Sequence, residues 1–235
     1  MGSVSVGELA ESFGVSHETV RRDLKLLADQ GVLDIVHGGA ARRGTMEPAL
    51  SQRSAENAEG KAAIARAAVA HVRDGATLLI DSGTTTAALA VELVARAGLT
   101  VCTNSLLVAS TLCRVVGNRI FMFGGQVDGN DESTWGADTI EAIARFRVDI
   151  AFIGSGGFAD DGSLTDYSLL AAEQRGHMIL AGPAYVLADY TKFERRTPFV
   201  VPHFDKVAGV IVDRPPHDAL AAAWQARGIR HAIAE

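Results

Sequence analysis

Residues 78–89 read LLIDSGTTTAAL and contain the transition that best defines the larger part of this chain. An apolar run ends at Asp81, a glycine and four hydroxyl side chains follow, and a helical pattern then resumes. A strand that ends in such a loop at the start of a helix is typical of a site that holds an anion with backbone amides. The stretch therefore predicts a phosphate-binding loop over residues 81–86.

The same alternation of apolar runs and helical patterns continues from Lys61 to the end of the chain. The predicted strands are 76–80, 99–103, 118–123, 148–153, 184–188 and 207–212. Helical patterns near 87–98, 106–114, 137–146 and 169–181 separate several of them. Short apolar strands that alternate with helices predict an α/β fold with a doubly wound, mostly parallel sheet covered on both faces.

Polar or glycine residues follow directly after the predicted strands. They are Asp81, Asn104, Gly124, Gly154, Asp189 and Asp213. Each one alone is an ordinary turn former. In an open α/β sheet, however, the ligand crevice lies beyond the carboxyl ends of the strands. The six positions together therefore predict a binding cleft at one edge of the sheet.

Two common nucleotide motifs are disfavoured. The loop 81–86 lacks the Gly-Lys-Ser/Thr ending of a P-loop. The stretch GSGGFA (154–159) matches G-x-G-x-x-A after a strand, but it continues into DDGSLTDYS, which is a loop pattern. A dinucleotide site needs a helix N-terminus under the pyrophosphate, so nicotinamide binding is not expected.

The composition of the chain limits the class of protein to which it can belong. The chain has 235 residues, of which 48% are hydrophobic, enough for a substantial core. Its net charge of −6 argues against a general polycation but leaves room for a local DNA-reading patch. There is no signal-peptide pattern and no apolar run of ~18 residues, so we expect a cytoplasmic protein without a membrane span. Cys102 and Cys113 lie in apolar segments without metal-ligand spacing, which predicts two reduced, packed thiols and no metal site.

The first forty residues predict two short helices in succession. Ser5 and Glu8 form a capping-box pattern, Gly14 ends the first helix, and Ser16 can cap the second. In the second helix, apolar residues at 20, 24 and 27 form one stripe, and basic residues lie on another face. This pattern predicts a helix-turn-helix, followed by a β-hairpin or wing over VLDIVHGGA.

A second interpretation of this helix does not involve DNA binding. An amphipathic helix with two arginines can be an ordinary solvated surface helix. The net charge of residues 1–43 does not favour DNA binding, because this segment has six acidic and five basic side chains and thus a net charge of −1. The basic residues are clustered, however, and contact with phosphates requires such clustering.

The stretch VSVGELAESFGVSHETVRRDLKLLADQGVLDIVHGGA, which begins at residue 4, resembles the N-terminal winged helix-turn-helix of the DeoR family of bacterial transcriptional regulators. The resemblance rests on VS-x-x-TVRRDL and on the HGGA that closes the wing. It implies DNA contacts by Ser16, His17, Thr19, Arg21, Arg22, Lys25 and His37. Two of these, Arg21 and Arg22, can instead contact phosphates only, which positions the protein without reading sequence.

Two departures from the family pattern affect the expected DNA binding. Only Met1–Ser3 stand where the family has a first helix, so the domain resembles a truncated form. We expect this form to bind DNA weakly or to have a poorly ordered N-terminal segment. In the wing, Ile35 stands where the family often has arginine, which removes one candidate contact. The predicted domains are a winged helix-turn-helix over 1–43, a linker over 44–60 with a short strand near 47–51, and a sensor domain over 61–235.

The larger part resembles the C-terminal sensor domain of the same family. The stretches DSGTTTAALA, LTVCTNS, FGGQVDG, GSGGFADDGSLTD and LADYTKFER follow in the family's order and spacing. The resemblance implies a fold related to ribose-5-phosphate isomerase and CoA transferases, and an effector that is a phosphorylated sugar or related metabolite, with no cofactor. It assigns effector contacts to Asp81, Ser82, Gly83, Thr84, Thr85, Thr86, Asn104, Ser105, Gly124, Gly125, Gly154, Gly156, Gly157, Asp166, Glu173, Arg175, Asp189 and Lys192.

Within that set, Asp166 and Glu173 are expected to accept hydrogen bonds from sugar hydroxyls. Arg175 and Lys192 would supply positive charge, and Asp189 would orient Lys192. Simpler interpretations are that Lys192 forms a surface salt bridge and that Glu173 is a structural acid. The family usually has Lys-Arg where this chain has Arg175 followed by glycine, so one positive group is absent.

A sugar-phosphate isomerase is the alternative function, because such an enzyme needs a carboxylate base, a phosphate cradle and a cation near the developing enediolate. The residues available for these roles are Asp81, Glu173 and Lys192. The helix-turn-helix favours a regulator instead, since an isomerase has no use for it. We expect a repressor, not an enzyme, that binds double-stranded operator DNA as a homodimer or homotetramer.

Overall fold

A computed structural model describes residues 3–30, 32–36, 38–42 and 47–235. The chain divides into two units, Met1–Pro48 and Ala49–Glu235. Within the described residues, no helix combines the length and the apolar character needed to cross a membrane.

The first unit contains two helices and a small antiparallel sheet. Its elements are β1 (Ser3–Ser5), α1 (Val6–Phe13), α2 (His17–Asp29), β2 (Leu33–Val36) and β3 (Gly39–Arg42). The strands follow the order β1-β3-β2, so β2 and β3 form the predicted wing and β1 adds a strand that the sequence pattern did not predict.

Local capping determines where α1 and α2 begin and end. The Ser5 hydroxyl accepts the Glu8 amide at 3.1 Å, and the Glu8 carboxylate accepts the Ser5 amide at 2.8 Å, which confirms the capping box. Gly14 then ends α1 with φ of 64°, a left-handed conformation that glycine adopts without strain. The Ser16 hydroxyl accepts the Thr19 amide at 3.1 Å and starts α2. The helix ends at Asp29, with Gln30 as its C-cap residue.

The core of the first unit is small. It consists of the buried residues Val6, Ala10, Val20, Leu24 and Ala40. The predicted apolar stripe of α2 is therefore buried at its first two positions, but Leu27 is 37% exposed. The expectation that Leu27 belongs to the buried stripe was wrong, since Leu27 lies outside the cluster that contains Val20 and Leu24.

The second unit alternates strands and helices as predicted. Its helices are α3 (Leu50–Ala55), α4 (Ala58–Val69), α5 (Thr84–Glu92), α6 (Leu106–Leu112), α7 (Ala137–Ala144), α8 (Leu169–Ile179) and α9 (Asp218–Ala226). Its strands are β4 (Thr77–Ile80), β5 (Thr100–Thr103), β6 (Arg119–Met122), β7 (Gln126–Asp128), β8 (Ser133–Trp135), β9 (Ile150–Ile153), β10 (Gly157–Phe158), β11 (Leu164–Asp166), β12 (Ala184–Ala188), β13 (Phe199–Val200), β14 (Gly209–Val212) and β15 (His231–Ile233).

Seven of these strands form one parallel sheet in the order β15-β14-β12-β9-β4-β5-β6. Successive side chains of a strand point to opposite faces. In β4, Leu78 and Ile80 join one buried cluster with Ile64 of α4, while Leu79 joins the other cluster with Met178 of α8. Both faces are therefore covered, and the prediction of a doubly wound α/β sheet is confirmed.

Some predicted features were wrong or incomplete. Residues 44–60 were predicted to be a linker with a strand near 47–51, but the structure has α3 from Leu50 and the start of α4 there. The stretch GSGGFA contains β10, which pairs with β11 in a short hairpin, and β13 extends this hairpin to three antiparallel strands. These elements have two or three residues each, too few to produce a detectable period.

The two cysteines differ in their environment. Cys102 is completely buried in β5, and burial raises the pKa of its thiol to about 12. Cys113 at the end of α6 is exposed, so the expectation of two packed thiols was wrong for Cys113. Cys113 is the C-cap residue of α6 and directly follows the completely buried Leu112.

We expect Cys113 alone to react with a thiol reagent such as DTNB in the native protein at about pH 8, since reactivity requires an accessible thiolate. Cys102 should react only after unfolding in urea. The variant Cys113→Ser should show no reactive thiol before unfolding and one afterwards. Release of two equivalents of thionitrobenzoate from the native wild type would contradict the assignment.

Candidate functional site

The parallel sheet brings the predicted strand-end residues to a single edge. Following the order of the strands, they are Asp213, Asp189, Gly154, Asp81, Asn104 and Gly124. Because every strand of the sheet runs in the same direction, all six lie at the carboxyl edge, as the sequence predicted. Asp81 lies in the middle part of this edge, because it follows β4, which lies between β9 and β5 in the sheet.

The loop after β4 is built around the start of α5. Gly83 is the N-cap residue, with φ of 129°, and α5 has no side-chain capping hydrogen bond. The Thr86 hydroxyl donates to the Gly83 carbonyl at 3.0 Å and folds the loop against the first turn. A helix start whose first amides lack a side-chain acceptor, and whose dipole is positive there, is suited to an anionic group.

The residues of the loop differ in burial. Ser82 is completely buried, Gly83 and Thr84 are half-buried, and Thr85 and Thr86 are buried. Thr84 is therefore the hydroxyl at the helix start that solvent reaches most easily. A bulky side chain at this position would project over the first turn of α5.

An ion triad lies directly behind the loop. Arg175 Nε donates to Asp81 Oδ2 at 2.7 Å, and Arg175 Nη1 forms an ion pair with Asp166 Oδ2. All three side chains are buried, and the guanidinium also lies 6.0 Å from the ring of Trp135. The charge of Arg175 is thus matched within the protein, and Asp81 accepts hydrogen bonds within the fold.

Gly154 fits closely into this arrangement. Its amide donates to Asp81 Oδ2 at 3.0 Å, and a Cβ atom built at this position would lie 3.0 Å from the carbonyl oxygen of Ser82. The backbone after β9 therefore approaches the loop after β4 as closely as a glycine permits. Among the described residues, Asp81 Oδ1 has no hydrogen-bond partner although it is buried.

The next strand ends continue the wall of the site. The Asn104 amide nitrogen lies 3.5 Å from Ser82 Oγ, and its side-chain oxygen has no partner among the described residues. Ser105 caps α6 by accepting the amide of Val108 at 3.3 Å. Gly125 has φ of 139°, and a Cβ atom there would lie 2.6 Å from the carbonyl oxygen of Trp135. Gly125 therefore serves the packing of the β7–β8 hairpin.

Two glycines of the predicted set also have packing roles. A Cβ atom at Gly156 would lie 2.7 Å from the Thr165 carbonyl oxygen, and one at Gly157 would lie 2.0 Å from the carbonyl oxygen of Arg195. These glycines allow the hairpin of β10 and β11 to pack closely. Gly124 has no atom within 4 Å of such a Cβ, so close packing does not require glycine there.

Glu173 is separated from the triad. It is exposed on α8, two residues before the buried Arg175, and two helical steps rotate a side chain by about 200°. That Glu173 accepts hydrogen bonds from sugar hydroxyls stays a prediction. The neighbouring Gln174 is completely buried, and its amide nitrogen donates to the Thr134 carbonyl at 3.4 Å.

A second buried ion pair contacts the loop from α3. Asp131 Oδ2 accepts the Ser82 hydroxyl at 2.9 Å, and Asp131 Oδ1 accepts Arg53 Nη2 at 2.6 Å. Arg53 and Asp131 are 4% and 5% exposed. Sequence reasoning missed both residues, because Arg53 falls in the predicted linker and Asp131 in a polar turn.

A third group surrounds the strand end at Asp189. Asp189 Oδ1 accepts the Thr191 amide at 3.0 Å, and Asp189 Oδ2 lies 4.0 Å from Lys61 Nζ. Burial lowers the pKa of Lys61, and the Asp189 charge partly opposes that effect. Lys192 is buried in the single turn of 3-10 helix after Asp189, so the alternative of a surface salt bridge does not apply. That Asp189 orients Lys192 stays a prediction.

The buried charges at this edge balance one another. In the part of the chain that the structure describes, the buried charged residues are Arg53, Lys61, Arg175 and Lys192 with Asp81, Asp131, Asp166 and Asp189. Buried charges are tolerated when they are paired, and here the signs are equal in number. The described residues contain no group of three or more His, Cys, Asp or Glu arranged to hold a metal ion.

The first unit exposes the predicted DNA-facing residues on α2. Ser16, His17, Thr19, Arg21, Arg22 and Lys25 are all exposed. Ser16 and Thr19 are also engaged in the helix cap, with 2.9 Å between their hydroxyl oxygens. Arg21 lies 3.7 Å from Glu18 across one turn, a weak exposed pair that a phosphate can replace. His37 lies outside the described residues.

The fold and the two sites define a two-part chain, with a winged helix-turn-helix followed by a parallel α/β unit that has a polar site at one edge. Family models match both parts: a DeoR-like helix-turn-helix domain over residues 1–45 and a DeoR C-terminal sensor domain over residues 56–214. The chain therefore belongs to the DeoR family of transcriptional regulators.

Named relatives support that placement. The chain is 35% identical over 218 residues to the glycerol-3-phosphate regulon repressor of Escherichia coli K12, which covers 92% of this chain and 86% of the relative. It is 30% identical over 226 residues to the transcriptional repressor CsqR of the same organism, covering 95% and 87%. It is 31% identical over 238 residues to the regulator GolR of Listeria innocua, covering 99% and 92%.

Solved structures similar in fold include ribose 5-phosphate isomerase A of Methanocaldococcus jannaschii, with a TM-score of 0.43 and 17% identity over 60% of this chain and 56% of that one. Translation initiation factor eIF-2B of Pyrococcus horikoshii gives a TM-score of 0.44 and 16% identity over 65% and 62%. The matched region thus spans little more than half of each of these structures.

The ion triad should stabilise the second unit chiefly through its cation. Arg175→Met would leave Asp81 and Asp166 buried as unpaired like charges, and we expect the free energy of unfolding to fall by about 3–5 kcal/mol. Asp81→Asn or Asp166→Asn should cost less, since each leaves a neutral pair. Urea denaturation, monitored by tryptophan fluorescence, would measure the free energy of unfolding of each variant and so rank the three substitutions.

The matched control is Arg196→Met, because Arg196 pairs with Asp160 at 2.9 Å while both side chains are 78% exposed. Its cost should be under about 1 kcal/mol. A smaller effect of Arg175→Met than of either asparagine variant would contradict the proposed charge balance.

Proposed function

We propose that this protein is a DNA-binding transcriptional repressor whose operator affinity is controlled by a phosphorylated sugar or related metabolite. The effector occupies the carboxyl edge of the sheet in the second unit. Its phosphate sits at the start of α5, on the amides that follow Gly83, without a metal or cofactor. The observation that carries the proposal is one chain that combines an exposed cluster of basic side chains on α2 with a helix start at a polar, charge-balanced strand edge.

The charge arrangement supports a phosphorylated and hydroxylated ligand. The buried charges of the two signs are equal in number, and the first amides of α5 and its dipole are suited to a phosphate. Asp81 Oδ1 and Asn104 Oδ1 are buried acceptors without a partner among the described residues. Hydroxyl groups of a polyol can donate to such acceptors, and a buried acceptor favours a ligand that satisfies it.

Three observations support a sensor over an isomerase. Asp81 Oδ2 already accepts hydrogen bonds from Arg175 and Gly154, so it serves as a structural acceptor within the fold. Glu173 is exposed on the far side of α8 from Arg175. The characterised relatives above are named as repressors or transcriptional regulators. The protein therefore works as a sensor and not as an enzyme.

The DNA-binding form is a homodimer or homotetramer. One α2 reads a few base pairs in one major groove, and specific operators are usually bound by two symmetry-related helices on repeated half-sites. Effector binding shifts the population between two arrangements of the subunits, because the effector has different affinities for them. In the proposed direction, the effector lowers operator affinity and relieves repression.

Ligand binding by the second unit can be tested by the shift in thermal unfolding of the full chain. We expect ribose 5-phosphate or glycerol 3-phosphate to raise the melting temperature, and ribose and glycerol to have no effect at the same concentration. A ligand at 100 times its dissociation constant adds about 2.7 kcal/mol to stability. Catalysed conversion of ribose 5-phosphate at an enzymatic rate would instead support the isomerase.

The loop assignment is tested by Thr84→Leu, which places a bulky side chain over the first turn of α5. The thermal shift should be lost while DNA binding is kept. The matched control is Ser110→Leu, an exposed hydroxyl within α6. An unchanged ligand response in Thr84→Leu would exclude the loop as the phosphate site.

DNA recognition by α2 can be tested with fragments that the full-length protein selects from a random pool. Lys25→Gln should weaken binding to all selected sequences and reduce the slope of log affinity against log salt by about 1, because one phosphate contact is lost. The matched control is Lys206→Gln, an exposed lysine of the second unit. Equal salt slopes for the two variants would remove Lys25 from the DNA interface.

A further inference from the structure

Helix α3 is the first element of the second unit, and polar contacts rather than apolar packing hold it there. All six residues of α3 are described, and Arg53 is the only buried one. Leu50 at its start is half-buried, and the other four side chains are exposed. A six-residue helix without a fully buried apolar side chain has little intrinsic stability, so its position depends on its charged contacts.

The side chain of Arg53 ends on the carboxylate that also holds the effector loop. Asp131 accepts Arg53 Nη2 with one oxygen at 2.6 Å and the Ser82 hydroxyl with the other at 2.9 Å. A third contact, from Arg53 Nη2 to the Asn130 carbonyl at 3.3 Å, fixes the guanidinium in the same turn. Ser82 directly precedes Gly83, the N-cap of α5. One buried carboxylate therefore joins α3 to the residue next to the proposed phosphate position.

The backbone of α3 is joined to a second strand end. Lys61 Nζ donates to the Arg53 carbonyl at 2.5 Å and to the carbonyl of Glu56, and it lies 4.0 Å from Asp189 Oδ2. The loops after β4 and β12 thus both contact α3, one through Asp131 and the other through Lys61. These contacts are buried, so a change in one of them cannot be compensated by solvent at low cost.

We propose that α3 is the output element of the effector site and that the contact Ser82–Asp131–Arg53 couples the two. The inference rests on the proposed function, because it requires a ligand at residues 81–86. A ligand hydroxyl or phosphate oxygen that engages Ser82 changes the hydrogen bond to Asp131 and thereby the strength with which Asp131 holds Arg53. The position of α3 then differs between the liganded and unliganded states, as coupling between two sites requires.

The consequence follows from the order of the chain. The first unit ends at Pro48, and α3 begins two residues later at Leu50. A change in α3 acts on the chain segment that leads directly to the DNA-binding unit. The sensor can therefore influence DNA binding without a rearrangement of its parallel sheet, whose five inner strands are largely buried.

Hydrogen–deuterium exchange with mass spectrometry on the full chain tests the coupling. The probes are ribose 5-phosphate, glycerol 3-phosphate and inorganic phosphate, and calorimetry measures the binding of each in parallel. On binding, exchange should change by about threefold or more in residues 49–56 as well as in residues 81–86. In Arg53→Met, the change in 81–86 should remain and the change in 49–56 should disappear.

Two further variants separate coupling from general destabilisation. Arg53→Lys keeps the charge and should restore part of the ligand-dependent change in 49–56, which a merely structural role would not predict. Arg73→Met is the matched control, since Arg73 pairs with Asp149 at 3.1 Å in an exposed position, and it should respond to the probes like the wild type.

The outcomes distinguish the inference from the function on which it rests. If no probe binds the wild type, the proposed function and the inference both fail. If a probe binds and protects 81–86 while exchange in 49–56 stays constant, the inference alone fails. This wild-type comparison decides the matter even if Arg53→Met does not fold.

Discussion

The ion pair between Asp81 and Arg175 is the interaction on which the geometry of the site depends. It joins the end of the central strand β4 to α8, and the same carboxylate oxygen accepts the amide of Gly154 from the end of β9. Asp166 adds the β10–β11 hairpin by pairing with the same guanidinium. Three separate parts of the chain thus meet at one buried cation. In surroundings of low dielectric, each partner depends on the others for its stability.

This arrangement explains why a strand-end aspartate is suited to sensing. A general base must exchange a proton with a substrate, whereas Asp81 Oδ2 accepts hydrogen bonds from Arg175 and from Gly154 at the neighbouring strand end. The buried charges provide a rigid support, and the start of α5 presents amides to a ligand. Binding to such a preorganised edge requires little rearrangement, so the free energy of binding remains available to shift other parts of the protein.

The periphery has the opposite character. Helix α3 contributes one buried side chain, and that side chain is charged. Elements with few buried apolar contacts are the first to open or shift, and this makes them suited to carry a signal. The second unit therefore has two parts of different stability. Its central sheet, packed between two apolar clusters, resists deformation, whereas α3 at its N-terminal end has few apolar contacts. Among its described residues, the first unit has a core cluster of five buried side chains, and local caps mark the starts of its helices.

Local sequence determined the features that depend on neighbouring residues. The capping box at Ser5 and Glu8, the cap at Ser16, and the strands that become the parallel sheet could all be predicted, because caps and apolar periods act over a few residues. The gathering of the strand ends at one edge also followed from the parallel topology. The loop at Asp81 and the exposed basic face of α2 could thus be predicted as candidate sites.

Only the tertiary structure decided which of those residues act together. It paired Arg175 with Asp81 and Asp166, turned Glu173 to the outside, and brought Arg53 from a predicted linker to a buried aspartate at the effector loop. Arg53 and Asp131 are 78 positions apart in the chain, and Asp81 and Arg175 are 94 positions apart. No local period records such partners, because the free energy that selects them arises when distant charges are buried together and must neutralise one another.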